Sequence, residues 1–512
     1  MTSKIKILSA FLVCFLSYAV NAQNKAEQPK IRTLIVFFDG LRPDYITPEA
    51  MPNLYAFKKQ GAYGAQHHSV FPTVTRVNAS SYATGSYPST HGLMGNSVYF
   101  PEVSATKSLN TGEAEDLNKI TEATHNNLLT AISIGEILEQ AGEKMMVFSS
   151  GSTGQALLQN HKISGGAVIN PSMILPESIK EKVIQEVGPV PSGKKTNGHI
   201  WVTDALIKMG LSADGPLVNA IWYSDPDGTA HSDGIGAATS MASIKTVDEQ
   251  FGRIVNMLKE KGLTSAFNIL ISTDHGFVTH VGKEGLTEFL IKKGLKKEAN
   301  SDDVVLAGGA VYVKNHDQKV IQNIVSALQE QEWAGAIFTK SKKVGELKGT
   351  IDGTLSFESI HWNHSSRSAD ILVDVNWDNR KNAAGYEGAS FSKGVAGHGS
   401  SSPYEVQIPL IVSGPSFKIA TESNLPTSNV DLVPTILYLH NLKAAPGMDG
   451  RVMNELLKVS TTTAKSAKTE VVKTSVKQAW GTYNLTINRS LYDGKQYVNF
   501  TKVERDLKSN TK

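Results

Sequence analysis

Aspartate and histidine residues cluster at three places where an apolar run of the sequence ends. These residues are Asp39, Asp227, His231, Asp274 and His275. Carboxylates and neutral imidazoles are the ligands that suit zinc and similar divalent ions when thiolates are absent. A single aspartate of this kind is often only a turn former or a helix cap. Three such aspartates, two of them with a histidine close by in the sequence, instead indicate a metal site.

A sixth ligand would come from His398, which stands between Gly397 and Gly399. Flanking glycines allow the backbone to approach a site closely and to hold an imidazole ring in an uncommon orientation. Taken alone, a histidine in a loop is more often a capped or solvent-exposed side chain. Two metal ions a few ångströms apart require about six or seven ligands, so a two-metal site needs His398 as well.

Thr73 and Thr75 are the candidate nucleophiles. Thr75 lies 36 residues after Asp39, and the small residues that follow it can open a helix. A hydroxyl at a helix N-terminus beside a metal gains from the helix dipole and from a lowered pKa. The alternative is that one of the two is only a helix cap. On an extended stretch their side chains face opposite ways, so only one of the pair can face the metals.

Five apolar, β-branched or aromatic runs predict the strands that must position these side chains. They span residues 33–38, 144–148, 218–223, 267–272 and 408–413. Helical spacing of apolar residues predicts helices over 244–258, 320–328 and 130–140. This alternation predicts an α/β fold with a mostly parallel sheet and helices on both faces. In such sheets ligands bind beyond the carboxyl ends of the strands, which is where the clustered residues fall.

The sequence also predicts how the chain divides. A catalytic domain is expected over residues 31–455, with a cap inserted within about 280–395. Residues 459–470 are rich in Ser, Thr, Lys and Ala and predict a linker. The remaining residues, 471–512, predict a small C-terminal β appendage, because an Asp-Gly pair at 493–494 is a typical hairpin turn between two runs of strand pattern.

The composition excludes several classes of function. The 512 residues are 40% hydrophobic and 19% charged, which is enough apolar material for a core. There are 51 Lys and Arg against 48 Asp and Glu, so no basic excess indicates nucleic-acid binding. Cys14 is the only cysteine, and one cysteine forms neither an intramolecular disulfide nor a cysteine metal cage. No protein partner is predicted.

The first 22 residues predict a cleavable secretory signal. Two lysines precede an apolar run over residues 7–20, and a small residue ends the stretch at position 22. That run is too short to span a bilayer comfortably; a retained anchor or a lipid-modified Cys14 are the alternatives. The prediction is a periplasmic or secreted protein with no stable membrane span after cleavage.

In their order along the chain, these motifs resemble those of the alkaline phosphatase superfamily, and most closely its type I phosphodiesterase/nucleotide pyrophosphatase branch. The resemblance covers most of residues 31–455. The matching stretches are Asp39-Gly40, Pro72-Thr73-Val74-Thr75-Arg76-Val77-Asn78, Thr84-Gly85 with His91-Gly92, Pro226-Asp227 with His231, Thr273-Asp274-His275-Gly276, Gly397-His398-Gly399, Val430-Asp431 with Pro434-Thr435, and Met448-Asp449-Gly450-Arg451. Each motif is unspecific alone, and the shared order carries the resemblance.

The resemblance implies two Zn²⁺ ions per chain. One would be held by Asp39, Asp274 and His275, with Thr75 at its open position. The other would be held by Asp227, His231 and His398. A small phosphorylated molecule is the implied substrate, and Thr75 is the implied nucleophile. Asn96 stands where the family places an amide that donates to a phosphoryl oxygen.

Arg76 departs from the family pattern, in which nucleotide-cleaving members usually carry an aromatic residue after the nucleophile. Its guanidinium suits a carboxylate or a phosphate, and so favours a substrate with an extra anionic group; an outward-facing surface arginine is the alternative. Trp222 and Tyr223, just before the second metal motif, either stack on a substrate ring or pack in the core.

The predicted function is a secreted two-zinc hydrolase of phosphate esters, in particular a phosphodiesterase/nucleotide pyrophosphatase with a phospho-threonine intermediate. A phosphomonoesterase or phosphonate hydrolase on the same dimetal site is the alternative, because a monoester carries more charge and rewards a cation such as Arg76. A sulfatase is disfavoured, since no Cys/Ser-x-Pro-x-Arg site surrounds Thr75. A non-catalytic binding protein on a degenerate scaffold would have lost metal ligands, and none of the six is lost.

Overall fold

Strands and helices alternate along most of the chain in the computed structural model, which describes residues 30–193, 195–459 and 465–508. The strands are β1 Arg32–Phe38, β2 Ala62–His68, β3 Ser97–Val98, β4 Leu109–Asn110, β5 Met145–Ser149, β6 Ala167–Asn170, β7 Met173–Leu175, β8 Val218–Tyr223, β9 Phe267–Ser272, β10 Val278–His280, β11 Val304–Ala307, β12 Ala310–Val313, β13 Ala334–Thr339, β14 Leu355–Ser356, β15 Ile371–Val375, β16 Trp377–Lys381, β17 Glu387–Ser390, β18 Ala396–Gly397, β19 Gln407–Ser413, β20 Thr421–Ser423, β21 Thr427–Ser428, β22 Lys468–Lys477, β23 Gly481–Tyr492 and β24 Lys495–Leu507. The helices are α1 Pro52–Gln60, α2 Thr75–Thr84, α3 Pro88–His91, α4 Ala114–Ala123, α5 Ile134–Gln140, α6 Thr153–Leu158, α7 Lys180–Val187, α8 Lys195–Ala205, α9 Asp227–Asp233, α10 Ala238–Glu260, α11 Leu286–Lys292, α12 Gln318–Gln329, α13 Pro403–Val406 and α14 Leu432–Leu439. The segment predicted as a secretory signal lies outside the described residues.

The five runs predicted as strands are β1, β5, β8, β9 and β19, and each lies within one residue of its predicted bounds. Two of the predicted helices, α10 and α12, extend beyond the predicted stretches. The third, α5, begins only at Ile134 and not at residue 130. The reason is local: Ser133 and Glu136 form a capping box that starts the helix there.

The central sheet is mostly parallel. Its core runs in the order β9-β1-β8-β5-β6, with every neighbouring pair parallel. The strand β19 joins beside β9 in the antiparallel direction and carries β2 on its far side. The predicted α/β fold with a mostly parallel sheet is therefore confirmed.

Both faces of the sheet are buried, as the alternation along β1 shows. Leu34, Val36 and Phe38 enter the hydrophobic cluster that includes the apolar face of α10. Ile35 and Phe37 enter the cluster on the opposite face, which includes residues of α2. Helices thus cover both faces, which explains why β1 is almost continuously apolar and not alternately polar.

The strands that precede the candidate ligands lie side by side and end at one level. Phe38, the last residue of β1, pairs with Tyr223 at the end of β8. Phe37 pairs with Ser272 at the end of β9. Because these strands are parallel, the residues that follow them meet at one edge of the sheet.

The region predicted as a cap contains one further sheet and contributes strands to another. One has the strand order β11-β12-β15-β13-β14, and α12 packs against β13. It shares a hydrophobic cluster with the central sheet, and the rings of Phe71 and Phe338 lie 5.8 Å apart across the junction. The other sheet, β16-β17-β10-β18, ends directly before His398.

The C-terminal strands form a three-stranded antiparallel sheet, β22-β23-β24. Asp493 and Gly494 join the last two strands with φ values of 50° and 76°, which confirms the predicted hairpin turn. The predicted linker over 459–470 is too long, because β22 already begins at Lys468; residues 460–464 lie outside the described residues. Pairing with β23, which local composition does not reveal, orders these residues. Tyr483 is buried and donates its hydroxyl to the Gly335 carbonyl at 2.9 Å.

None of the described helices is long and apolar enough to cross a membrane.

Candidate dimetal active site

Backbone contacts tie together the loops that carry the candidate ligands. The Asp39 N–H donates to the carbonyl of Tyr223 at 2.9 Å, and the Asp227 N–H donates to the carbonyl of Asp39 at 2.9 Å. The Gly40 N–H donates to Asp274 Oδ1 at 3.1 Å. Gly40 has a φ of 72°, and a Cβ there would lie 3.1 Å from the Asp227 Cβ. Glycine is thus required where these loops cross.

We call Asp39, Asp274 and His275 the inner cluster. Their ligand atoms lie within 4.8 Å of one another. His275 Nε2 is 3.1 Å from Asp274 Oδ2 and 3.6 Å from Asp39 Oδ1. Thr75 Oγ1 lies 3.2 Å from His275 Nε2, which brings the implied nucleophile to this cluster.

We call Asp227, His231 and His398 the outer cluster. Nε2 of His231 is 3.1 Å and Nε2 of His398 is 3.3 Å from Asp227 Oδ1. The compact triple here, whose ligand atoms lie within 4.8 Å of one another, combines Asp227 and His398 with His275 in place of His231. The reason is that the His275 and His398 rings stack with their centroids 3.4 Å apart. His231 stands at the solvent side, with 44% of its side chain exposed.

The three imidazoles share one orientation. In each ring Nδ1 is bonded to a backbone carbonyl, at 3.0 Å for His231, 2.9 Å for His275 and 2.8 Å for His398. A carbonyl only accepts, so Nδ1 carries the proton and Nε2 presents a lone pair. This is the usual arrangement of histidines that bind metals through Nε2.

Three buried carboxylate oxygens in the two clusters have no hydrogen-bond donor. They are Asp39 Oδ1, Asp227 Oδ1 and Asp274 Oδ2. Buried polar atoms are nearly always paired, and an unpaired carboxylate oxygen is costly to bury. Divalent cations bound at the two clusters would satisfy all three oxygens together with the Nε2 lone pairs. The donor set of carboxylates and imidazoles therefore fits the two zinc ions that the resemblance implies.

The electrostatics agree with a cation-binding site. Burial raises the pKa of Asp39, and the negative charges of Asp274 and Asp227 raise it further. Burial opposes ionisation of Asp227 as well, but His231 and His398 hold its pKa well below the usual range. Burial and the neighbouring His275 lower the pKa of His398 to about 4, which keeps its ring neutral. A bound cation would offset the repulsion between the negative charges of these carboxylates, and the neutral ring of His398 does not repel it.

The two candidate threonines face different surroundings. Thr75 opens α2 and faces His275, whereas the Thr73 hydroxyl donates to the carbonyl of Ser400 at 2.6 Å and approaches Glu405 Oε2 at 3.1 Å. Val74, in extended conformation, is the residue before the helix, and no side chain caps it. Neither threonine acts as the cap, and only Thr75 faces the clusters.

Arg76 and Asn96, the two candidate substrate-binding residues, are hydrogen-bonded to each other. The Arg76 backbone N–H donates to Asn96 Oδ1 at 3.0 Å, which leaves the Asn96 amide hydrogens free to donate. The Arg76 side chain lines a cavity of about 310 Å³ together with Thr75, and does not point out into solvent. Asn96 lines a second cavity of about 260 Å³ together with His398, whose other walls are largely apolar.

Trp222 is a residue whose role sequence reasoning missed. Its Nε1 donates to Asp39 Oδ2 at 2.9 Å, so it orients the first ligand of the inner cluster. Trp222 and Tyr223 are both fully buried, so the core-packing interpretation holds for both and neither stacks on a substrate ring. A buried indole N–H usually bonds to an acceptor. A tryptophan on a strand that leads into a cluster of carboxylates is therefore expected to donate to one of them.

Glu405 is the second residue that was missed. It is fully buried and accepts hydrogen bonds from the Gly399 N–H at 2.8 Å and the Ser400 hydroxyl at 2.8 Å, and its Oε2 lies 3.1 Å from the Thr73 hydroxyl oxygen. Its carbonyl accepts the Gly276 N–H at 2.8 Å. Glu405 thus joins the nucleophile segment to the loops that carry His275 and His398. No local signal distinguishes it from a surface glutamate, because only the packing buries it.

Comparisons with known proteins identify the family of the chain. The family described as "Type I phosphodiesterase / nucleotide pyrophosphatase" matches residues 33–398. Bis(5'-adenosyl)-triphosphatase ENPP4 of Bos taurus is 27% identical over 256 residues, which are 49% of this chain and 48% of the relative. Ectonucleotide pyrophosphatase/phosphodiesterase family member 5 of Homo sapiens is 25% identical over 289 residues, 56% of this chain and 53% of the relative. The chain spans about half the length of these curated relatives.

Solved structures show the same fold. The structure of murine ectonucleotide pyrophosphatase/phosphodiesterase 5 superposes with a TM-score of 0.59 at 19% identity, over 83% of this chain and 100% of that one. The human counterpart gives 0.57 at 19% identity, over 84% and 100%. The fold is therefore alkaline-phosphatase-like, and the chain belongs to the type I phosphodiesterase/nucleotide pyrophosphatase family of the alkaline phosphatase superfamily. The resemblance stated from the motifs is confirmed.

Proposed function

We propose that the protein is a two-zinc hydrolase of phosphate esters that acts as a phosphodiesterase/nucleotide pyrophosphatase through a phospho-threonine intermediate. The observation that carries the proposal is the position of the Thr75 hydroxyl, 3.2 Å from His275 Nε2 and beside unpartnered carboxylate oxygens. Family membership supports the reaction class. A structure of an inactive threonine-to-alanine variant of murine ectonucleotide pyrophosphatase/phosphodiesterase 5 in complex with AMP supports a threonine nucleophile and a nucleotide substrate.

The proposed reaction has two displacements at phosphorus. Thr75 Oγ1 loses its proton to solvent and attacks, a bond forms between it and phosphorus, and the bond to the leaving alcohol or phosphate oxygen breaks; a leaving alkoxide takes up a proton from solvent. Water then attacks the phospho-threonine, the bond to Oγ1 breaks, a proton returns to Oγ1, and Thr75 is regenerated. The Asn96 amide donates to a phosphoryl oxygen as its charge grows. Zinc bound by the two clusters would supply the positive charge that lowers the pKa of the Thr75 hydroxyl and stabilises the oxygens of the transferred group.

The cavities support a diester substrate. A diester carries a substituent on each side of phosphorus. Thr75 and Arg76 line one cavity, whereas Asn96 and Val74, the residue before Thr75, line the other. Each has room for one substituent, and the largely apolar walls of the second suit an organic group.

Covalent trapping tests the intermediate. Holoenzyme mixed with an aryl phosphate diester is quenched in acid and digested, and the peptides are mapped by mass spectrometry. We expect one phosphoryl group, still carrying the second ester substituent, on Thr75, retained in Thr73→Ala and absent in Thr75→Ala. A phosphoryl group on any other residue overturns the assignment.

Metal analysis tests the cofactor. We expect about two zinc equivalents per chain. Less than half an equivalent in fully active protein removes the two-metal mechanism and leaves the family assignment intact.

A phosphomonoesterase or phosphonate hydrolase is the second candidate, and the position of Arg76 in the cavity beside Thr75 favours it. Relative rates on aryl monoester, diester, phosphonate and sulfate substrates separate the two.

Export to the periplasm or the medium is also part of the proposal, supported by the predicted signal over residues 1–22. N-terminal sequencing of the mature protein tests it, and an intact Met1 would contradict cleavage.

A further inference from the structure

We propose that the cavity beside Thr75 contains an anion subsite, formed by Arg76 and Gln155, that binds a negative charge beyond the single charge of a simple diester. The inference rests on the proposed function, because it concerns the substrate of the same site. It adds a ligand class, a second ionised oxygen, and a residue, Gln155, to which the sequence motifs assign no role.

Arg76 supplies an uncompensated positive charge. Its guanidinium donates from Nη2 to Ser152 Oγ at 3.3 Å, while its Nε is buried and has no hydrogen-bond partner. Within the described part of the chain, no carboxylate lies within 4.0 Å of it. Gly112 makes room for it, because a Cβ at that position would lie 2.3 Å from Arg76 Nη2. A fork-shaped donor without an acidic partner suits a phosphate or carboxylate oxygen.

Gln155 supplies a second donor. It lies in α6, is only 1% exposed and lines the same cavity as Arg76 and Thr75. The Ser149 hydroxyl donates to its Oε1 at 2.6 Å, which fixes the orientation of the amide. Its Nε2 is buried and has no partner. A buried amide donor without an acceptor is rare, and an anionic oxygen in the cavity would satisfy it.

The neighbouring hydroxyls position these donors. Ser152 Oγ accepts from Arg76 Nη2 and from the Gln155 backbone N–H at 3.4 Å, so it holds both residues and retains its own proton to donate. Ser150 is different, because its Oγ is bonded to His199 Nδ1 at 2.8 Å and accepts the Ser224 N–H at 3.1 Å. The subsite therefore depends on Arg76 and Gln155, and Ser150 is already engaged.

The shared chemistry of the ligand is an ionised phosphoryl oxygen, which has two sources. In a phosphate monoester, the transferred group itself carries the second charge. In a nucleoside triphosphate, an adjacent phosphoryl group carries it. Asp39 and Asp227 also line the cavity, and their charges disfavour an anion unless they hold metal, so the experiments use zinc-loaded protein.

The first experiment compares kcat/KM for an aryl phosphate monoester, the matched aryl methyl diester and a nucleoside triphosphate. We expect Arg76→Met to lower the value for at least one of the doubly charged substrates about tenfold or more relative to the diester. Loss on the monoester assigns the subsite to the transferred group, and loss on the triphosphate assigns it to an adjacent group. Equal loss on all three substrates overturns the subsite and leaves the proposed function standing.

The second experiment does not depend on turnover. Calorimetry measures the binding of inorganic phosphate to the zinc-loaded protein, and we expect Arg76→Met and Gln155→Leu each to weaken it about tenfold or more. Gln159→Leu is the matched control, because Gln159 is also buried with an unpartnered Nε2 but does not line the cavity. Arg253→Met controls for the loss of one positive charge.

The result that overturns the subsite is unchanged phosphate affinity in a folded Arg76→Met or Gln155→Leu protein, as judged by its melting temperature and zinc content. If Arg76→Met does not fold, Gln155→Leu alone decides the question. Wild-type protein that binds phosphate but cleaves no phosphate ester would contradict the proposed function and not the subsite.

Discussion

The inner and outer clusters differ in burial and in how the chain holds them. The side chains of Asp39, Asp274 and His275 are 7%, 0% and 0% exposed. Those of Asp227, His231 and His398 are 19%, 44% and 6% exposed. The inner ligands directly follow β1 and β9, two neighbouring strands of the central sheet. The outer ligands lie on one turn of α9 and on a loop after the small sheet that ends in β18.

This difference shows what makes a ligand set rigid. Hydrogen bonds between β1 and β9 position the inner carboxylates, so moving them would break the sheet. The outer set depends on contacts between a helix and a distant loop, such as the bond from His231 Nδ1 to the Ala396 carbonyl. We therefore expect the inner cluster to bind metal more tightly and the outer cluster to exchange it more readily.

The largest expected effect is at the nucleophile, which faces the inner cluster. Thr75→Ala should lower the rate by several orders of magnitude, since loss of a hydrolase nucleophile costs about 10⁶-fold in kcat. Zinc content should stay near the wild-type value, because the six protein ligands remain. Steady-state rates and elemental analysis check both. Thr73→Ala is the control and should be far milder; a reversed order of the two variants would contradict the assignment.

The second prediction compares one histidine from each cluster. His275→Ala should lose most of the zinc, because His275 takes part in both compact triples. His231→Ala should keep roughly one of two equivalents, because its ring is at the solvent side of one cluster only. Titration with a chelator, followed by elemental analysis, distinguishes the two. Equal zinc loss in both variants would show that the clusters do not differ as their burial indicates.

The third prediction concerns Glu405, which connects the two clusters through the segments that carry them. Glu405→Gln should reduce zinc affinity or activity about 10- to 100-fold, as losses of supporting hydrogen bonds around metal ligands do. Asp374→Asn is the matched control, because Asp374 is also a buried carboxylate and accepts the Ser401 N–H at 3.1 Å in the same loop. A similar loss in both variants would reduce Glu405 to a residue that only stabilises the fold.

The smallest effect is a pH dependence of stability away from the metal ligands. Burial raises the pKa of Asp374 from 3.8 to about 7, and the charge of the nearby Glu405 contributes. The folded chain then keeps a proton that the unfolded chain has released, so stability falls as pH rises from about 4 to about 7. We expect Asp374→Asn to lessen the fall in melting temperature over that range by about 2 to 4 °C. An unchanged slope in scanning calorimetry would contradict the shift.

The sequence by itself predicted the parts of this protein that local patterns encode. Apolar runs located the strands β1, β5, β8, β9 and β19, because a strand buried on both faces is continuously apolar. The position of Asp39, Asp227 and Asp274 after three of those runs predicted that they share one edge of the sheet, and the structure places them there. The order of the motifs was enough to identify the family.

The tertiary structure alone decided the residues whose role depends on distant neighbours. Glu405 and Gln155 are ordinary residue types with no spacing signal, and the Asp39 acceptor of Trp222 lies far along the chain; each of the three acts through a distant partner or through a cavity wall. The stacking of His275 on His398, which brings His275 into both compact triples, joins residues from separate loops. Burial and long-range hydrogen bonds create these roles, and neither is a property of a short stretch of sequence.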